Sequence, residues 1–354
     1  MNKLNLMIAI AFLTITFTAC KKDSEEPIFV APPSDGSTLT LNGLVGAEDG
    51  TAAGNSVYVD FSADKQTSVL RDSWDLGFYS GNDFKVILNS TNGASALLVN
   101  KNDLNAVTVN DFDSNGLKVG QGLGNFSIVD DGREPNILNK PAIAIVSAVD
   151  ADNKVYIINR KGGSATVLAP SDLYKIRVLR KGNGYTLQYA KVTETTFKSL
   201  DINKNVEANF QFASLVKGET ITVEPAKGSW DIVWGYSMYF TAGSPYAFSD
   251  LVFINNLGGV TASSVVTNLT TTYASFNEAN VGELTFSSAR DVIGSQWRTS
   301  PDRNGNGGSV NTKIFFVIKD ASENIYKLKF NSFISNDGGN RGKPVIEYKL
   351  IKKG

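Results

Sequence analysis

Apolar and polar residues alternate along most of the chain with a period of two, which predicts strands rather than helices. In residues 326–330 the aromatic and aliphatic side chains share one face and the two lysines share the other. Such strands pack one face on a core and expose the other to water, as antiparallel sheets do. Short apolar runs at residues 39–42 and 56–61 are punctuated by Gly, Asn and Asp, and helix signals are scarce. The pattern therefore predicts an all-β fold with only short helices.

The chain contains pairs of segments that resemble each other. Ser73-Trp74-Asp75-Leu76 is matched by Ser229-Trp230-Asp231-Ile232. Four further blocks follow in the same order: residues 86–93 and 252–259, 154–158 and 313–317, 173–177 and 325–329, and 185–192 and 344–351. The repeated order predicts a duplication, with one antiparallel β domain at 37–193 and a second at 194–354.

The tryptophan and aspartate of each repeated motif are interpreted as organisers of the core. A buried indole needs a partner for its N–H group, and Asp75 and Asp231 are suited to accept hydrogen bonds from nearby donors. We therefore expect Trp74 and Trp230 to be buried rather than to contact a ligand.

The first residues have the pattern of an export signal. A basic start at Lys3 precedes an apolar run at 4–17, which is shorter than the roughly 20 residues that span a bilayer. Small residues then lead to Cys20, the chain's single cysteine, which predicts a lipoprotein signal at 1–19 and lipidation of Cys20. A plain secretory signal with an incidental cysteine is the alternative. Residues 20–36 are interpreted as a flexible tether, so the lipid would be the membrane anchor.

Composition restricts the chemistry available to the protein. The chain has 34 basic and 35 acidic residues, so it lacks the excess of positive charge that is typical of nucleic-acid-binding proteins. It has no histidine, which removes the commonest general base and the commonest zinc ligand. No acid–base constellation stands out among the remaining residues. We therefore expect a binding protein rather than an enzyme, with no catalytic residues and no metal site.

The order of the blocks resembles the HmuY family of Bacteroidetes surface lipoproteins. The residues that carry the resemblance in the second copy are Trp230-Asp231-Ile232-Val233-Trp234, Phe253-Ile254-Asn255, 326–330, Gly342-Lys343-Pro344 and 347–350. The resemblance implies two tandem HmuY-like β domains and a lipoprotein exposed on the outer membrane. It also implies capture of haem, or another small hydrophobic ligand, and delivery to an outer-membrane receptor.

The resemblance also implies where haem ligands should lie. Members of the family hold the iron between two His or two Met side chains, in intervals that correspond here to residues 95–150 and 263–312. Neither interval contains His or Met, and the second offers only Tyr273. Thioether and phenol groups can both ligate haem iron, so Met238, Tyr236 and Tyr239 join Tyr273 as candidates. The alternative for Met238 is a sulfur that fills a gap in the core. We expect any haem to bind without His ligation.

A second hypothesis assigns the protein to adhesion or scaffolding. The loop that begins at Trp297 and Arg298 and continues through Arg303 combines an aromatic, two arginines and a Gly/Asn tip. Exposed on a surface, it could bind a protein or glycan partner. An ordinary long connection between strands is the alternative interpretation of the same loop.

Overall fold

The computed structural model describes residues 31–302 and 307–354. The strands of its first half are β1 (Gly36–Thr40), β2 (Asn55–Asp60), β3 (Lys65–Leu70), β4 (Leu76–Tyr79), β5 (Val86–Leu88), β6 (Ser95–Val99), β7 (Val155–Asn159), β8 (Tyr174–Lys181), β9 (Gly184–Lys191) and β10 (Lys198–Ile202). The strands of its second half are β11 (Phe210–Ser214), β12 (Glu219–Ile221), β13 (Ile232–Thr241), β14 (Ser244–Ile254), β15 (Thr261–Val266), β16 (Arg298–Thr299), β17 (Ser309–Val310), β18 (Ile314–Lys319), β19 (Ile325–Ser332) and β20 (Val345–Lys352).

All helices in the described ranges are short 3-10 turns. They lie at Gly50–Ala52, Arg71–Ser73, Ser90–Asn92, Val109–Asp111, Ser114–Leu117, Asp150–Asp152, Asn256–Gly258, Glu278–Glu283 and Ser335–Asp337. None of the helices within 31–302 and 307–354 is long and apolar enough to cross a membrane. The predicted all-β fold with short helices is confirmed.

The strands form antiparallel sheets in two similar sets. One five-stranded sheet has the order β1-β20-β19-β18-β15, and the other has the order β10-β9-β8-β7-β6. The two four-stranded sheets have the orders β14-β13-β2-β3 and β12-β11-β4-β5, and β16 pairs with β17 alone. Each five-stranded sheet is built mainly from one half of the sequence.

Strands from the two halves of the sequence pair with each other. β1 lies against β20, β2 against β13, and β11 against β4, all antiparallel. β10, the first strand after residue 193, pairs with β9 in the sheet of the preceding half. Residues 33–354 form one compact unit. The domain limits at 37–193 and 194–354 stay a prediction, and hydrogen-bonded sheets cross the boundary between them.

The sequence explains the tight hairpin of β8 and β9 directly. β8 and β9 are joined through Gly182, with Lys181 opposite Gly184 in register. Gly182 has φ of +56°, a conformation that costs glycine little and that the tight turn of a two-residue hairpin requires.

Two large apolar clusters form the core. One lies beneath the β1-β20-β19-β18-β15 sheet and contains Trp234, Phe316 and Tyr326, and the other lies beneath β6–β10 and contains Phe78, Ile158 and Tyr185. A smaller cluster between the two four-stranded sheets contains the tryptophans of both repeated motifs. The site described next lies around this smaller cluster and the hairpin that extends from it.

Candidate functional site

The hairpin of β13 and β14 extends well beyond the sheet that it belongs to. β2 pairs with β13 only from Ile232 to Trp234, whereas β13 and β14 pair with each other as far as Thr241 and Ser244. The corresponding hairpin of β4 and β5 has strands of only four and three residues. The second hairpin therefore carries a projecting end that the first one lacks.

Aromatic side chains cover one part of this projecting end. The Tyr239 ring lies 4.4 Å from the ring of Phe240 and 5.8 Å from that of Phe248. Tyr246, opposite Tyr239 in register, lies 5.0 Å from Phe248 and is 37% exposed. We call Tyr239, Phe240, Tyr246 and Phe248 the hairpin aromatic cluster. Aromatic pairs at these spacings favour one another beyond the area that they bury.

Met238 lies inside the protein rather than in the hairpin aromatic cluster. It is 2% exposed and packs with Val119, Ile128, Val129 and Ala247. The sulfur therefore fills a core gap, as in the alternative interpretation of the sequence. Iron ligation by Met238 would require this apolar cluster to open.

Tyr236 and Tyr239 are both half-buried with partners on the protein. The guanidinium carbon of Arg71 lies 4.5 Å from the centre of the Tyr236 ring. The Tyr239 hydroxyl donates a hydrogen bond to Asp291 Oδ2 at 2.5 Å. Burial and this carboxylate raise the pKa of Tyr239, which opposes the phenolate form that ligates iron.

Tyr273 lies on a separate surface, against the five-stranded sheet that contains β19 and β20. Its hydroxyl donates to the carbonyl oxygens of Lys327 and Glu347 at 3.4 and 3.3 Å. Burial raises its pKa. Its contacts are with this sheet, and the structure gives it no contact with Tyr236, Met238 or Tyr239.

The loop proposed for partner binding begins in the core. Trp297 is 1% exposed, stacks on Phe330 at 4.2 Å, and donates its indole N–H to the Asp250 carbonyl oxygen at 3.1 Å. Arg298 is 7% exposed and donates to the same carbonyl. The expectation that both side chains lie on the surface was wrong, because an apolar face of β19 and an inward-facing carbonyl satisfy them.

Two of the predicted residues fall outside the part of the chain that the structure describes. These are Arg303, in the same loop, and Cys20, the predicted lipidation site. Partner binding by the loop and lipidation of Cys20 both stay predictions.

The two Trp-Asp motifs face each other between the four-stranded sheets. The Tyr58 ring from β2 meets the Trp230 ring edge-on at 5.0 Å, and the Phe212 ring from β11 meets the Trp74 ring edge-on at 4.8 Å. Both tryptophans are buried, at 5% and 6% exposure, as the sequence predicted. Their aspartates accept backbone hydrogen bonds from the opposite half: Asp75 from Leu215 and Asp231 from Phe61.

A cavity of about 110 Å³ lies among these aromatic rings. Its lining includes Trp74, Glu224, Trp230 and Arg290, from three separate segments of the chain. Pockets for drug-sized ligands occupy roughly 300–1,000 Å³, so this cavity is too small for a haem macrocycle. Haem would have to bind elsewhere on the molecule.

Sequence reasoning had missed the polar residues of this cavity and the exposed member of the hairpin aromatic cluster. Glu224 and Arg290 lie in loop segments whose pairing across the fold has no local signature. The signal for Tyr246 was available, because Tyr246 and Phe248 alternate on one strand with Pro245 and Ala247.

The residues within 31–302 and 307–354 include no group of three His, Cys, Asp or Glu side chains able to hold a metal ion.

Comparison with known proteins identifies the family of the chain. The family model described as HmuY protein matches residues 52–348, which is most of the chain. The chain belongs to the HmuY family. No curated protein and no solved structure matches it significantly. The HmuY match spans both halves of the sequence and both Trp-Asp motifs, while the internal duplication stays a prediction.

Membership of the HmuY family suggests a ligand-binding site rather than an active site. On this chain the hairpin aromatic cluster is a partly exposed apolar surface, and the cavity between the sheets is small, at about 110 Å³.

Proposed function

We propose that this HmuY protein is a non-enzymatic binding protein that captures haem, or a similar flat apolar ligand, on the hairpin aromatic cluster. The observation that carries the proposal is the projecting end of β13 and β14, with Tyr239, Phe240, Tyr246 and Phe248 grouped on it. Aromatic rings offer a flat apolar macrocycle large contact areas. The HmuY match makes haem the first ligand to test.

The exposed phenol of Tyr246 is the candidate axial ligand on this surface. No hydrogen bond within the described ranges involves its hydroxyl, whereas the Tyr239 hydroxyl is held by Asp291. Tyrosine serves as an axial ligand in some haem proteins, so a chain without histidine can still bind the iron. This assignment replaces Met238, whose sulfur lies in the core.

The proposal places the protein at the cell surface, anchored by a lipid on Cys20, with an outer-membrane receptor as the acceptor of the ligand. The export pattern at 1–19 and the family match support this location. The adhesion or scaffold alternative loses part of its support because Trp297 and Arg298 are buried.

A haemin titration tests the proposal. The protein without its first 20 residues should give a saturable Soret shift at about one equivalent of haemin. Phe248→Ala should weaken binding at least about tenfold, because it removes one wall of the cluster. Tyr246→Phe should keep binding but change the visible bands of the bound ferric haem, since it removes the oxygen ligand.

Tyr273→Phe is the matched control, because it removes the same hydroxyl from the other candidate surface. Its spectrum and affinity should equal those of the unmodified protein. A spectrum identical to that of free haemin would contradict haem capture. An effect of Tyr273→Phe equal to that of Tyr246→Phe would contradict the assignment of the hairpin.

A further inference from the structure

The cavity between the four-stranded sheets contains polar atoms that the protein leaves without partners. Glu224 is partly buried, but its Oε2 atom is shielded from solvent and has no hydrogen-bond partner in the described structure. The indole N–H of Trp230, a residue that is 6% exposed, is also shielded and unpartnered. An unsatisfied buried polar group costs about 1–3 kcal/mol. Both residues line the cavity, so a molecule placed there could hydrogen-bond to both atoms.

Arg290 adds a cation to the same cavity. Its guanidinium carbon lies 4.0 Å from the centre of the Phe253 ring, and both residues line the cavity. Among the described residues its guanidinium forms no ion pair and no side-chain hydrogen bond. The nearby acidic groups that act on it through space are Asp291, Asp130 and Glu224. A guanidinium that keeps all its N–H groups unused beside an apolar wall is suited to bind a carboxylate through two parallel bonds.

Glu224 and Arg290 are not bonded to each other, although both line the cavity. The Asn209 side chain, which also lines the cavity, donates its amide N–H to Asn255 Oδ1 at 2.9 Å. Burial raises the pKa of Glu224 to about 8 and lowers the pKa of Arg290. Within the described residues, Glu224 Oε2 and the Trp230 indole N–H lack a partner, while the Arg290 guanidinium lines the same cavity. A ligand with a carboxylate at one end and a hydrogen-bond donor at the other would satisfy these groups.

The dimensions of the cavity restrict the size of that ligand. An apolar cavity of about 150 Å³ in another protein holds one benzene molecule, so about 110 Å³ accommodates only a few heavy atoms. A second cavity of about 280 Å³ adjoins it, with Phe210, Phe212 and Glu224 in the lining of both. Exposed residues such as Thr220 and Ala226 line this second cavity.

We propose that the cavity binds a small carboxylic acid that also carries a hydrogen-bond donor, in the class of short amino acids and hydroxy acids. The carboxylate binds the Arg290 guanidinium and accepts from the Trp230 indole N–H. The donor group at the other end binds Glu224 Oε2. The rings of Tyr58, Trp74 and Phe212 enclose the short carbon skeleton. No member of the hairpin aromatic cluster lines this cavity, and it takes a ligand too small to be haem.

Glycine, acetate and ethylamine are the probes that test it, because glycine carries both end groups and the other two carry one each. Titration calorimetry and saturation-transfer NMR on the unmodified protein should show saturable glycine binding, with acetate and ethylamine at least about tenfold weaker. Glycine at saturation should also raise the melting temperature, as a ligand that binds only the folded state does. Absence of saturable glycine binding, or acetate binding as tight as glycine binding, would overturn the proposal.

Variants of the two residues that bind the ends of the ligand make the test specific. Arg290→Gln and Glu224→Gln should each weaken glycine binding at least about tenfold. Arg180→Gln is the matched control for the first, since Arg180 also stacks on a phenylalanine, at 4.2 Å from Phe84, and lies outside the cavity. Glu219→Gln, on exposed β12, is the control for the second. Neither control should change glycine binding.

Two further measurements keep the proposal open to refutation if Arg290→Gln fails to fold. Arg290→Lys keeps the charge but loses the paired N–H groups, and it should also weaken glycine binding. A crystal structure grown with glycine should show its carboxylate on Arg290. Ordered water alone on Glu224 and Trp230 in that crystal would overturn the proposal.

Discussion

The regions around Asp75 and Asp231 use the same backbone contacts in different electrostatic surroundings. Asp75 accepts from the Leu215 N–H at 2.7 Å, and Asp231 accepts from the Phe61 N–H at 2.7 Å. Arg160 binds Asp75 at 2.5 Å, whereas Asp231 has no ion pair within the described residues. Equivalent hydrogen bonds therefore do not require equivalent charge compensation.

The pKa values of the two carboxyl groups reflect this difference. Burial raises the pKa of Asp75, and Arg160 opposes the rise. Burial raises the pKa of Asp231 well above its usual range, and the like charges of Asp60 and Asp320 add to the rise. Asp75 thus forms a buried ion pair with Arg160, while Asp231 is a buried carboxyl group that keeps its proton to higher pH.

The largest expected effect comes from breaking the ion pair. Arg160→Ala should lower the free energy of unfolding by about 3–5 kcal/mol near neutral pH, because Asp75 is left as an uncompensated buried charge. Urea denaturation followed by fluorescence measures the change. Arg177→Ala, whose side chain binds only backbone carbonyls, is the control and should cost less. A loss below about 1 kcal/mol for Arg160→Ala would mean that solvent reaches Asp75.

The second prediction concerns pH and the cavity carboxyl. Burial raises the pKa of Glu224 from 4.5 to about 8, so the folded state holds a proton that the unfolded state has released. The resulting stability is fully present below about pH 4.5 and is lost as the pH rises to about 8. Glu224→Gln should flatten the fall in unfolding free energy over this window, because the amide does not titrate.

The slope that remains in Glu224→Gln should come from other buried carboxyl groups. Asp130, whose pKa burial raises to about 7, acts in the same direction, as do Asp75 and Asp231. Denaturation midpoints at several pH values measure the slope. A variant with the same slope as the unmodified protein would show that Glu224 is ionised in the folded state.

Local pattern predicted the strands well and their partners poorly. The alternation at residues 326–330 predicted β19. Pairing of β2 with β13 depends on contacts far apart in sequence, which no local periodicity encodes. Trp297 was expected on the surface as part of a loop with two arginines and a Gly/Asn tip, whereas stacking on Phe330 determines its position.

The candidate site was less predictable than the fold for the same reason. The sequence pointed to β13 only through the thioether and phenol groups of Met238, Tyr236 and Tyr239. Side-chain direction, which separates the core sulfur of Met238 from the hairpin aromatic cluster, became visible only in the structure. Glu224 and Arg290 are unremarkable in sequence. Their importance arises from a cavity that several distant segments enclose.

A smaller effect is expected at the unpaired aspartate. Asp231→Asn should change the free energy of unfolding by about 1 kcal/mol or less at pH 5, because the amide oxygen can still accept from the Phe61 N–H. Asp75→Asn at the same pH should cost more, since it removes the charge that compensates Arg160. Equal losses for the two variants would mean that the ion pair with Arg160 makes Asp75 no more important to stability than Asp231.

The smallest expected effect is at the solvent-facing surface of the two hairpins. Lys329 and Glu347 lie opposite each other on β19 and β20, with Nζ and Oε2 3.0 Å apart, and both side chains are about a third exposed. The corresponding pair on β8 and β9 is Arg177 and Gln188, which forms no ion pair. Glu347→Gln converts the second pair to the pattern of the first. It should lower the free energy of unfolding by less than about 1 kcal/mol, and by less still in 1 M salt, because exposed ion pairs are screened. A larger, salt-independent loss would mean that Glu347 acts through its contact with Asn331 rather than through its charge.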